Sequence, residues 1–102
     1  MSLQNEFLNY DALGLADLVR RGEVSAAELM EVTIERIEEV NKKLNFVAVK
    51  TYDIGRSLAR KEIPDRPFMG VPYLLKDIAT DWRGVRCTNG CNMYREYVSS
   101  KD

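Results

Sequence analysis

Residues 24–44, VSAAELMEVTIERIEEVNKKL, carry the strongest local folding signal in the chain. Ser25 and Glu28 have the spacing of a capping box, and Val24 and Leu29 occupy the two positions of a hydrophobic staple. Residues suited to one buried face then recur at helical spacing: Leu29, Met30, Thr33, Ile34, Ile37, Val40 and Leu44. We therefore predict one long amphipathic helix that begins after Ser25.

The segment before this helix predicts a shorter one. In YDALGLADLVRRGEV, Asp11 is a candidate N-cap, and Leu15 and Leu18 lie on one apolar face together with Val19. Gly22 then suits the left-handed position that follows a helix end. The two helices together form a helical opening over residues 10–44.

The remainder of the chain alternates between strand and helix signals. Residues 45–50 (NFVAVK) predict a short strand, and residues 52–61 predict a helix that Gly55 weakens. Residues 70–79 predict a buried strand, and residues 80–102 predict a loop followed by a partial helix. This order indicates an α/β fold. Two strands are too few to cover the apolar helix faces, which suggests a piece of a larger sheet.

Composition limits the classes of function. The chain has 102 residues, of which 45% are hydrophobic and 30% charged, with a net charge of -1. This balance is typical of a folded globular protein, and it favours neither a nucleic-acid partner nor a membrane surface. The first residues lack the basic and apolar regions of a signal peptide, so we expect a cytoplasmic protein.

Two cysteines, Cys87 and Cys91, have C-x3-C spacing. A zinc site usually needs four ligands, and the chain contains no histidine. Reduced thiols are therefore a better interpretation than half a metal site or a redox pair. We expect no metal and no other cofactor.

Lys76 is the clearest candidate for a catalytic role, because it ends the apolar run VPYLL. A lysine can act as a general base when burial or nearby positive charge lowers its pKa, and it can then activate a serine hydroxyl. The commoner outcome is a strand-end lysine whose ammonium group reaches water. Asp77 follows directly, and strand alternation would turn it to the opposite face, away from Lys76.

Three segments resemble the amidase signature enzymes, specifically bacterial amidases. YDALGLADLVRRGEVSAAELMEVTIERIEEVNKKLNFVAV, at 10–49, is similar to their N-terminal helices and first strand. PFMGVPYLLKDI, at 67–78, resembles the strand that holds their catalytic lysine in a G-V-P-x-x-x-K-D pattern. WRGVRCTNGC, at 82–91, looks like the segment that follows.

The resemblance implies the first part of a mixed-sheet fold and an amide hydrolase with a Ser–cis-Ser–Lys triad. Lys76 would be its base, acting through a bridging serine on a nucleophilic serine. Backbone N–H groups would form the oxyanion hole. The family uses no cofactor, and the substrate of the whole protein would be a small-molecule amide.

The chain departs from the family where the two serines are expected. They belong to a Gly/Ser-rich segment downstream of the lysine motif, and this sequence contains no such segment. Ser99 and Ser100 lack the glycine context. Cys91 follows Gly90 where the family often has serine, and we interpret it as a packing residue of the loop.

Three functional hypotheses follow. The first is the N-terminal fragment of an amidase, inactive alone because both serines are missing. The second is a small interaction module that buries its apolar faces against a partner or a second copy of itself. The third is a piece of a glutamine-hydrolysing subunit of a tRNA-dependent amidotransferase.

Overall fold

A computed structural model describes residues 6–78 and 80–102. The chain divides into two compact units, Met1–Pro72 and Tyr73–Asp102. Among the described residues, all of the α-helices belong to the first unit. No helix of the described residues is both long enough and apolar enough to cross a membrane.

Helix α1, Ala12–Arg20, begins and ends as its sequence predicts. The Asp11 side chain accepts a hydrogen bond from the Gly14 N–H at 2.7 Å, which supplies a partner for one free N–H of the first turn. After the helix, Gly22 has a φ of +75°, a conformation that glycine adopts without a steric penalty. The Glu23 N–H then donates back to the Leu18 carbonyl at 3.0 Å, closing the helix end.

Helix α2, Ala26–Leu44, is the predicted long helix. The Ser25 hydroxyl accepts from the Glu28 N–H at 3.0 Å and donates to a Glu28 carboxylate oxygen at 3.1 Å. At the other end, Asn45 adopts a left-handed conformation with a φ of 48°. The Asn41 side chain accepts the N–H groups of both Phe46 and Val47 there. Short-range side-chain contacts therefore define both ends of the helix.

The core of the first unit lies between α1 and α2. It consists of Leu15, Leu18, Val24 and Leu29, with Phe7, Tyr10, Val19 and Val71 packed against them. Val24 and Leu29 thus form the predicted staple as part of the core. The backbone at Gly70 lies very close to α1, because a Cβ atom on Gly70 would lie 3.0 Å from a Val19 methyl group.

Helix α3, Tyr52–Ala59, ends two residues before the predicted 52–61. It packs against α2, and Gly55 explains how, because a Cβ atom there would lie 3.2 Å from the Met30 Cε. Arg56 crosses to Glu31 of α2, with its Nε 2.7 Å from a carboxylate oxygen. The glycine that weakened the helix prediction is therefore the residue that lets the two helices approach.

The predicted strands at 45–50 and 70–79 are not formed in the structure, so that part of the α/β prediction is corrected. The described residues include no named strand, and their only bridge outside one is an antiparallel pairing of Arg86 with Val98. A strand requires a neighbour that takes its N–H and C=O groups, and no described segment pairs in this way with either stretch. Ala79, at the end of the second stretch, lies outside the described residues.

The second unit is largely irregular. Its central feature is the approach of residues 84–87 to residues 97–99: the Cys87 N–H donates to the Tyr97 carbonyl, and the Ser99 N–H donates to the Val85 carbonyl, both at 3.0 Å. The partial helix predicted within 80–102 is reduced to one 3₁₀ turn, Asn92–Tyr94. Cys87 and Ser99 are the buried side chains of this unit.

Candidate functional site

Lys76 lies in an irregular, exposed part of the second unit. The apolar residues before it, which were expected to bury it, are themselves exposed: Tyr73 by 85%, Leu74 by 53% and Leu75 by 45%. The Lys76 ammonium group makes no hydrogen bond or ion pair with any other described residue. The buried-strand setting expected for Lys76 is therefore absent from this structure, and its role as a base stays a prediction.

Asp77, the next residue, is half-buried and accepts hydrogen bonds from Thr88 through both carboxylate oxygens. One oxygen accepts the Thr88 N–H at 2.8 Å, and the other accepts the Thr88 hydroxyl. Partial burial alone would raise the pKa of the Asp77 carboxyl, but hydrogen bonds from Thr88, with smaller contributions from Cys87 and Asn89, outweigh it and lower the pKa below its ordinary value. Asp77 directs both of its carboxylate oxygens to Thr88 and not to Lys76.

The segment that receives the Asp77 carboxylate is a tight turn. The Cys91 N–H donates to the Thr88 carbonyl at 2.9 Å, and the Gly90 N–H donates to the Thr88 hydroxyl oxygen at 3.2 Å. Asn89 and Gly90 both have positive φ, at 53° and 68°. Sequence reasoning missed the link between Asp77 and Thr88, because no periodicity relates two residues eleven positions apart.

The two cysteines have different surroundings, and both are free thiols. Cys87 is buried, and its Sγ lies 3.8 Å from the Thr80 carbonyl oxygen and 3.7 Å from the Asn89 side-chain oxygen. Burial, followed by the nearby Asp81 carboxylate, raises the pKa of the Cys87 thiol. Cys91 is exposed. Among the described residues, no group of three or more Cys, Asp or Glu side chains is placed to hold a metal ion.

We expect a thiol reagent such as a water-soluble aromatic disulfide to distinguish the cysteines. Cys91 should react at least about tenfold faster than Cys87, because the thiolate is the nucleophile and Cys87 is both buried and kept protonated. Cys91→Ser should remove the fast phase, and Cys87→Ser should remove the slow one. Two equal rates in the unmodified chain would contradict the placement of Cys87.

Neither serine near the C-terminal end is placed as a nucleophile. The buried Ser99 hydroxyl donates to the Lys101 carbonyl at 2.7 Å and accepts the Lys101 N–H at 3.2 Å, so both of its hydrogen-bonding functions close a local turn. Ser100 is exposed. The structure thus places one predicted site residue, Lys76, and brings no serine partner to it among the described residues.

In the first unit, a cleft is lined by Ala27, Glu28, Glu31, Arg56 and Arg60. Its charged walls are the paired Arg56 and Glu31, whose pKa values move apart because each favours the charged form of the other. None of the residues singled out from the sequence as catalytic lines this cleft.

Comparison with known proteins gives several relatives, including the following three. The chain is 42% identical over 74 residues to the 6-aminohexanoate-cyclic-dimer hydrolase of Pseudomonas sp. (strain NK87), an alignment that covers 72% of this chain and 15% of that protein. It is 34% identical over 90 residues to the lipoamidase of Enterococcus faecalis, covering 86% of this chain and 12% of that protein. It is 30% identical over 92 residues to fatty-acid amide hydrolase 2-B of Danio rerio, covering 74% of this chain and 17% of that protein.

No protein-family model matches the chain, and no solved structure matches it. The chain spans less than a fifth of the length of each of these three relatives. Two of these three names specify a hydrolase, and two specify an amide or an amidase. The resemblance expected from the helical opening and the lysine motif is confirmed: the chain belongs to the amidases, as a segment much shorter than the members it matches.

Proposed function

We propose that this chain is the N-terminal part of an amidase that hydrolyses amide C–N bonds with a Ser–cis-Ser–Lys triad, and that Lys76 is the base of that triad. The observation that carries the proposal is the similarity to amidases over most of the chain, at up to 42% identity over 72% of it. The G-V-P-x-x-x-K-D pattern at residues 70–77 supports the choice of Lys76.

In this proposal, Lys76 works as a proton carrier. A neutral lysine takes the proton of the nucleophilic serine through the bridging serine, while the serine oxygen attacks the amide carbonyl carbon. The same proton passes to the amine nitrogen as the C–N bond breaks, which leaves an acyl-enzyme. Water then attacks the acyl carbon, and its proton passes through the bridging serine and the lysine to the nucleophilic serine oxygen as the acid departs.

The exposed apolar run before Lys76 is consistent with a fragment. Tyr73, Leu74, Leu75 and Ile78 are each at least 45% exposed, which is uncommon for four large apolar side chains within six positions. Neighbouring strands of a complete sheet would cover them, and that cover would supply the apolar surroundings that lower the pKa of a lysine. We infer that residues 70–78 become a strand only beside the rest of the domain.

The proposal is tested on the product of the native gene in its own cell. We expect an intact mass several times 11.7 kDa, and hydrolysis of simple aryl amides by that protein. The isolated 102-residue chain should not hydrolyse them above background, because a lysine without nucleophile and oxyanion hole provides little acyl-transfer catalysis. Turnover by the isolated chain that disappears in Lys76→Ala would show that the fragment assignment is wrong.

The same exposed side chains favour one alternative, a non-catalytic interaction module. In that case the native mass would match this chain, and its apolar surface would be buried against a partner or a second copy. Sedimentation of the purified chain separates the two proposals. A compact oligomer supports the module, whereas aggregation supports an incomplete enzyme domain. A role as part of a tRNA-dependent amidotransferase subunit would require a glutamine substrate, which the amide assay can include.

A further inference from the structure

The Asp77–Thr88 contact joins the residue after Lys76 to a turn eleven positions later. It uses both carboxylate oxygens, one for the Thr88 N–H at 2.8 Å and one for the Thr88 hydroxyl. The same hydroxyl oxygen accepts the Gly90 N–H at 3.2 Å. The Asp77 carboxylate thus binds the N–H and hydroxyl of Thr88 directly, and the Thr88 hydroxyl in turn binds the Gly90 N–H.

This contact is built to persist at neutral pH. Bonds from N–H and O–H groups to an ionised carboxylate are shorter and stronger than bonds between neutral groups. Asp77 is half-buried, and the hydrogen bonds overcome the effect of burial, so the pKa of its carboxyl is lowered. The Asp77 carboxylate is therefore charged at the near-neutral pH at which most amide hydrolases work.

Lys76 has no comparable anchor of its own, since its ammonium group makes no hydrogen bond or ion pair with any other described residue. Its side chain has four rotatable bonds, and a proton carrier must lie within hydrogen-bond reach of the group that it serves. The peptide bond between Lys76 and Asp77 is rigid and planar. Anchoring the Asp77 side chain to Thr88 therefore also restricts the backbone from which the lysine side chain extends.

We propose that Asp77 and Thr88 are positioning residues for Lys76, in which the Asp77 carboxylate fixes the lysine backbone against the turn at 88–91. This inference rests on the proposed function, because it requires Lys76 to carry the proton. Neither residue touches the substrate in this proposal. Both act through the geometry of the lysine.

The test compares two substrates with the same acyl group, an alkyl amide and an aryl ester, using the protein as its native gene encodes it. An amine leaves only after it takes a proton, whereas a phenolate leaves without one. A misplaced lysine therefore slows the amide more than the ester. A lower folded fraction slows both equally, so the ratio of the two kcat/KM values is insensitive to a purely structural loss.

We expect Asp77→Ala to lower the amide-to-ester ratio about tenfold and Thr88→Val, which keeps the N–H bond, about threefold. Thr88→Ser retains the hydroxyl and should keep the ratio within about twofold of the unmodified protein. Asp102→Asn is the matched control, because Asp102 is another carboxylate of this unit that accepts a backbone N–H, from Arg83 at 2.9 Å. It should leave the ratio unchanged.

The outcomes are separable. If Asp77→Ala does not fold, Thr88→Val decides, since valine has nearly the same shape as threonine and keeps the bond from the backbone N–H to Asp77. If both rates fall together and the ratio stays constant, the contact is merely structural and the positioning role is wrong. If Lys76→Ala leaves amide hydrolysis intact, the proposed function fails, and the positioning role fails with it.

Discussion

If Lys76 is the base of the proposed triad, its replacement by alanine in the protein that the native gene encodes should lower kcat/KM for an amide substrate by about 10²–10⁴-fold, the usual contribution of a general acid–base residue. The alanine variant has no group that can take the serine proton or deliver it to the amine nitrogen. Because Lys76 is exposed and makes no hydrogen bond or ion pair with the other described residues, its removal should not change the thermal stability of this part of the chain.

Two companion variants make the Lys76 experiment specific. Lys76→Arg keeps the positive charge but cannot deprotonate, so it should be as inactive as the alanine variant if the lysine carries a proton. Lys101→Ala removes another exposed lysine of the same unit and should retain full activity. An active Lys76→Arg enzyme would mean that position 76 provides charge alone, contrary to the proposal.

Leu29→Ala should lower the free energy of unfolding of the first unit by about 2–5 kcal/mol, a large share of the stability of a unit this small. Leu29 is 0% exposed and is the largest fully buried side chain of the chain's described part. It joins the hydrophobic staple to the α1–α2 core, so its truncation removes contacts on both helices and leaves a cavity. Urea unfolding followed by far-UV circular dichroism measures the change.

Leu44→Ala provides the matched control for Leu29. It makes the same chemical change in the same helix, but Leu44 is 67% exposed. Leucine and alanine have similar helix propensities, so the control should shift stability by less than about 1 kcal/mol. Equal shifts in the two variants would show that the core is not centred on Leu29.

The lysine position also explains why the site was only partly predictable. Lys76 was identified from a short motif, which is a local pattern, and its role remains a prediction. The Asp77–Thr88 contact was not predicted, because it joins two residues whose spacing follows neither a helical nor a strand period. The strand expected around Lys76 depends on neighbours that the described residues do not include.

The amino-acid sequence by itself determined the ends of α1 and α2 and most of their buried faces, although Leu44, expected on the buried face of α2, is 67% exposed. Asp11, Ser25 and Gly22 act on backbone groups within a few residues, so each can be identified from its immediate neighbours.

Only the tertiary structure decided the remaining features. At Gly55 a Cβ atom would lie 3.2 Å from the Met30 Cε of another helix, and at Gly70, whose φ of +72° already favours glycine, it would lie 3.0 Å from a Val19 methyl group. The strand predicted at residues 70–79 is not formed among the described residues, because none of their backbone groups pair with it. For both glycines the neighbouring side chain is distant in sequence, so only packing brings it close.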